Sequence, residues 1–161
     1  MDFHLTHEFA AAADAVVAAM VDPAFYTTFT IPDVGPFTTT GPDVDGTTTT
    51  LHVSYEYTGS LDPMVKRLAG GDIVLLQDVT IDTATRAGAL NVQPEQHRDL
   101  LVCSGTFAFS ETDGATTRTL TGELKVHVPL LGGKAERSLL PGILARLGTE
   151  ATALNAYLGT G

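Results

Sequence analysis

The chain has 161 residues, 43% of them hydrophobic and 17% charged, the size and make-up of one folded globular domain, expected over residues 1–161. Acidic residues outnumber basic ones 19 to 9, and the formal charge of −10 argues against binding nucleic acid or an anionic membrane surface. No apolar run approaches the ~20 residues that span a bilayer. Met1-Asp2-Phe3-His4 lacks the basic and apolar regions of a signal peptide, so a cytoplasmic protein is expected. Cys103 stands alone, which excludes an internal disulfide and a cysteine-built metal site.

Phe3, Leu5, His7 and Phe9 alternate with polar neighbours, the period of a half-buried strand. Ala10 to Val21 has no Gly or Pro and carries Val16, Val17, Met20 and Val21 as a helical stripe, which Asp22-Pro23 stops. Pro23 opens a second short helix with Phe25, Tyr26 and Phe29 on its apolar side. After the hairpin signal Asp45-Gly46, Thr47 to Tyr57 puts Leu51, Val53, Tyr55 and Tyr57 on one face of a strand. Leu61 to Ala69 reads as a loop with room for one helical turn. Further alternating faces follow at Ile73–Ile81, at Leu101–Phe109 and at Leu120–Val128, the last two joined by a Thr112–Ala115 hairpin. Weaker strand signals lie at Phe37–Val44 and Arg86–Val92. Leu140, Ile143, Leu144, Leu147, Ala151, Leu154 and Leu158 form one stripe at helical spacing, the strongest helix in the chain and the only one long enough to cover a sheet.

Where that helix begins, VPLLGGKAERSLLPGILARL (Val128 to Leu147) combines a strand end, two glycines and a lysine, the parts of a phosphate-binding loop. A Walker-type loop needs Gly at the first position and Ser or Thr after the Lys, but Val128 and Ala135 stand there. Such loops also belong to parallel βαβ units, whereas these strands are joined by hairpins. Gly132 and Gly133 are therefore read as the turn that swings a strand onto a helix.

Strand Phe3–Phe9, helix Ala13–Val21 ending in DPAFY, the strand–loop–helix VPLLGGKAE and the terminal amphipathic helix together resemble the START-like superfamily. This is the helix-grip fold shared with plant pollen-allergen proteins and polyketide cyclases, and the pattern is most similar to a bacterial branch without an assigned function. The resemblance implies an α+β fold. A curved antiparallel sheet of six or seven strands would wrap the C-terminal helix, with two short helices after the first strand and an apolar cavity in between. It also implies a hydrophobic small-molecule ligand, lipid- or polyketide-like, that is bound or carried. A cyclase- or hydrolase-like enzyme and an interaction module with a filled core are the alternatives. No cofactor or metal is expected, and monomer and homodimer both remain open.

The inward faces that would line such a cavity include Leu51, Val53, Tyr55, Tyr57, Leu75, Gln77, Val79, Phe107, Leu124 and Val126, with Ile143, Leu144, Leu147 and Leu154 from the helix. Phe107 and Leu144 are expected to face one another across the gap. His7, Tyr55, Tyr57 and Gln77 are polar groups on apolar faces, where burial without a partner costs ~1–3 kcal/mol. Converging, they would orient a ligand's hydroxyl or carbonyl, with His7 and Tyr55 as the acid–base candidates. The plainer reading of His7 is a core histidine satisfied by a neighbour. Glu136 falls in the helical stripe, where an acid in the first turn also suits the helix dipole. His4 and His7 point to opposite faces and cannot share a metal, and Cys103 reads as an inert core residue. Pro141 lies inside the best helix, so a kink or break is expected there, opening a ligand entrance beside Glu136.

Overall fold

The computed structural model describes residues 1–160; Gly161, the last residue of the expected domain, lies outside them. The strands are β1 (Asp2–Phe9), β2 (Thr38–Asp45), β3 (Thr48–Tyr57), β4 (Ile73–Asp82), β5 (Ala87–Pro94), β6 (Leu101–Thr112) and β7 (Ala115–Val126). They form one sheet in the order β1-β7-β6-β5-β4-β3-β2, with every neighbouring pair antiparallel. The weak signals at Phe37–Val44 and Arg86–Val92 both became strands. β2 is an edge strand whose residues are nearly all exposed, so it carries little apolar alternation to read.

Helix α1 (Ala13–Met20) follows β1; Val16, Val17 and Met20 of the predicted stripe are buried on it with Ala13, and Val21, also buried, is its C-cap. The second helix expected after Pro23 is a single 3₁₀ turn, Phe25–Thr27. Its rings anchor it: Phe25 stacks on Phe29 at 4.7 Å and meets Tyr26 edge-on at 5.1 Å. Helix α2 (Pro63–Ala69) is longer than the one turn expected, and its ends explain why. The Asp62 carboxylate accepts from the Met64 N–H, Pro63 occupies the first turn, and Gly70 closes the helix at φ +74°. None of its residues is buried, and Met64 and Leu68 lie open to solvent.

Helix α3 (Gly132–Thr160) lies over the sheet as one 29-residue element. The break expected at Pro141 does not occur. Pro141 and Gly142 are exposed, so the Arg137 carbonyl that loses its partner is on the solvent side of the helix. The second half of α3 packs on β1, β7 and α1, with Leu147, Ala151 and Leu154 buried. The turn that feeds α3 depends on one glycine. A Cβ on Gly132 would stand 2.4 Å from the Val126 carbonyl oxygen, whereas one on Gly133 would meet nothing nearer than an Arg137 nitrogen at 3.6 Å. Gly132→Ala should therefore cost about 1–3 kcal/mol in chemical denaturation, and Gly133→Ala should cost nothing or stabilise slightly. Equal effects would show that the turn does not need this close approach.

Candidate functional site

Beside the packed half of the core, the first half of α3 stands off the sheet and leaves a cavity of about 340 Å³. Leu139, Ile143 and Arg146 form its helical wall; Tyr55, Leu75, Val92, Leu101 and Cys103 form its sheet wall. Ile31 and Val34, together with Tyr57, Leu61 and Val65, surround its outer end. A smaller cavity of about 90 Å³ shares Val65, Ile73, Leu75, Leu101 and Leu139 with it and extends under α2. The spaces arise because the strands before and after α2 diverge from the helix while β1 and β7 remain packed on it.

Most of the wall is apolar, and one cation breaks it. The Arg146 guanidinium lies 4.5 Å from the centre of the Tyr55 ring, a cation–π contact, and its Nη2 donates to Gln77 Oε1. Nη2 is also 3.8 Å from Glu150 Oε2, one helical turn on. The Gln77 side chain is 1% exposed and Glu150 5%, so this cluster is held away from water. Beyond it lies a second buried cation, Arg118, whose Nη2 meets His7 Nδ1 at 3.0 Å and whose guanidinium lies over Phe9. Tyr26 is buried within electrostatic reach of both arginines. Burial pushes its hydroxyl pKa well above the ordinary value, as burial raises that of Tyr55, so both rings stay neutral.

The expected site residues divide into three groups. Tyr55, Tyr57, Leu75 and Ile143 line the cavity, and Gln77 sits behind its wall as the partner of Arg146. Val53, Leu124 and Leu147 are filled core, as are Leu51, Val79 and Leu154; Val126 borders only the smaller space. Phe107 packs its ring on Phe109 at 5.5 Å and Leu144 leans on the core, so neither borders the cavity at which they were expected to meet.

His7 and Glu136 lie elsewhere. His7 sits opposite Arg118 across the β1–β7 pair. Glu136 is buried, with one carboxylate oxygen accepting from the Val126 N–H at 3.0 Å and the other 3.3 Å from the terminal ammonium of Met1. Its backbone partner first, and that ammonium after it, hold the Glu136 carboxyl below the usual range. Glu136 thus ties β7, the chain start and α3 together and borders neither cavity. Arg146 escaped the sequence reading because it falls outside the Leu140–Leu158 stripe. The available signal was its i, i+4 partner Glu150, which places two charges on the flank of an apolar face. Cys103, expected in the core, does border the cavity, and burial pushes its thiol up to about 11, which keeps it protonated.

The histidines give stability two opposite pH dependences. Burial, and then the Arg118 charge, lower the pKa of His7 from 6.5. The unfolded chain therefore takes up that proton first, and stability falls as pH drops through the mid-6 range. His52 bonds Asp78 at 2.6 Å and Asp43 at 3.1 Å on the outer face, and these bonds raise its pKa above 6.5. Its contribution is present below 6.5 and is lost as pH rises through the higher folded value. In melting curves between about pH 5 and pH 8, the deficit of His52→Gln should grow on acidification and that of His7→Gln should shrink. Parallel profiles would show that neither environment acts as described.

Among the described residues, no group of three or more His, Cys, Asp or Glu could hold a metal ion, and no helix is long and apolar enough to cross a membrane. Solved structures of similar shape span the whole chain. TTHA0849 of Thermus thermophilus matches at TM-score 0.70 and 12% identity, covering 99% of this chain and 98% of that one. The Zhui aromatase/cyclase of Streptomyces sp. R1128 matches at 0.65 and 16%, with 99% and 93% covered. Ara h 8.0201 matches at 0.66 and 13%, with 100% and 99% covered. At such identities the likeness concerns the fold, which is the START-like helix-grip fold. No curated protein matches the chain in sequence. The family model described as "Protein of unknown function (DUF2505)" covers residues 4–158, and the chain belongs to that family.

Proposed function

We propose that the protein binds or carries an apolar small molecule in the cavity between α3 and the sheet. The observation that carries this reading is the cavity itself: about 340 Å³, walled mainly by aliphatic and aromatic side chains, with few polar groups. That volume falls within the roughly 300–1,000 Å³ of small-molecule sites, which share this apolar wall with sparse polar groups. The aromatase/cyclase of the same fold carries an enzyme's name. The acid–base candidate His7 lies outside this cavity's wall, so no observation favours an enzyme built on it. Native mass spectrometry after exposure to a panel of lipid-like compounds should show one apolar mass per chain. Val92→Trp, which fills the sheet side, should no longer carry it. A wild-type chain that stays empty across the panel would count against the reading.

A further inference from the structure

Arg146 and Gln77 hold more hydrogen-bond donors than the protein satisfies. Arg146 Nε and Gln77 Nε2 are buried and have no partner among the described residues, although Arg146 Nη2 and Gln77 Oε1 bond each other. With the Gln77 oxygen taken by the guanidinium, its amide nitrogen is left as a free donor beside the same group. The remaining unsatisfied acceptor of the cluster is Glu150 Oε2, which already faces Arg146 at 3.8 Å. Charge is uneven in the same direction: the buried Arg118 and the largely covered Arg146 both lie within reach of one buried carboxylate, Glu150. Among these groups only Arg146 borders the cavity. A buried unpaired donor, and still more a buried unpaired charge, is costly until an acceptor reaches it.

Resting on the reading that this cavity binds an apolar molecule, we infer that Arg146, positioned by Gln77, forms a headgroup subsite for a carboxylate. The ligand is then an amphiphilic acid, its carboxylate accepting from the Arg146 guanidinium, which Gln77 holds from behind the wall, and its hydrocarbon body lying along Leu75, Leu101 and Ile143. An arginine–carboxylate contact is charge-assisted on both sides, about twice as strong as a neutral hydrogen bond, and stronger still away from water. A neutral lipid of the same shape satisfies fewer of these donors and leaves the charge imbalance untouched. At interior packing density the cavity takes a body of roughly a dozen carbons, which sets the probe.

The test is calorimetric titration of the full chain with dodecanoate and with 1-dodecanol, below their aggregation limits and at neutral pH. Dodecanoate should bind at least about tenfold more tightly despite the protein's net charge of −10. Arg146→Met should abolish the preference, so that the variant binds dodecanoate no more tightly than dodecanol. Equal affinities of the wild-type chain for the two would overturn the headgroup subsite and leave the apolar cavity standing. Binding of neither would remove both. Should Arg146→Met fail to fold, ¹³C-labelled carboxylate on the wild-type chain decides. Bound dodecanoate should titrate below the free acid, because a paired cation favours the ionised form; a bound acid that titrates higher, as burial without a cation dictates, would overturn the subsite.

Discussion

Leu154→Ala should lower the free energy of unfolding by about 2–5 kcal/mol, and Ile143→Ala, three turns earlier on α3, should cost less and change ligand capacity. Both are aliphatic residues on the covering helix, and they differ in what surrounds them. Leu154 is fully buried where α3 meets β1, β7 and α1, so truncation leaves a void that the packed neighbours cannot close. Ile143 is only partly buried and already faces open cavity on one side. It has fewer contacts to forfeit, and its loss merely widens a space that is present from the start. Urea denaturation of the two variants, with ligand titration of Ile143→Ala, measures both halves. Equal destabilisation would mean that the cavity at Ile143 is filled core.

The difference between these two aliphatic positions also marks how far the sequence could be read. Period-two and helical patterning located β1, β3, β4, β6, β7, α1 and α3, because each buries one face and the alternation records it. β2 and α2 were faint for the converse reason: neither buries a face, and α2 is defined by its caps at Asp62 and Gly70. The stripe of α3 identified the residues that meet a sheet, but not which of them meet it across a gap. Leu147 and Ile143 belong to the same stripe, and only the divergence of the strands from the helix puts one in core and the other in the cavity wall. His7 and Gln77 were both polar residues on apolar faces, and their fates separated through partners that no local pattern shows. Arg118 stands opposite His7 in the β1–β7 register, and Arg146 reaches Gln77 from 69 positions away. Glu136 was read in its stripe correctly, but its partners are the chain start and the end of β7.

Removing Glu150 should be among the most damaging polar changes in the chain, with Glu150→Ala costing about 3–5 kcal/mol. Glu150 is the one buried carboxylate beside Arg146, and its charge also reaches Arg118 and Tyr26 through the core. Without it, two guanidiniums lie out of water with no anion between them, and a buried charge that loses its counter-charge costs more than the pair itself contributed. Two further variants separate charge from shape. Glu150→Gln retains the volume and drops the charge, so it should keep most of the loss. Adding Arg146→Met to Glu150→Ala removes the nearer stranded cation and should recover a large part of it, the remainder belonging to Arg118. Urea denaturation of these three variants, of the wild type and of Arg146→Met alone supplies the double-mutant cycle. If Glu150→Gln is nearly neutral while Glu150→Ala is severe, the damage comes from an unfilled volume, and the buried cations are satisfied by something other than Glu150.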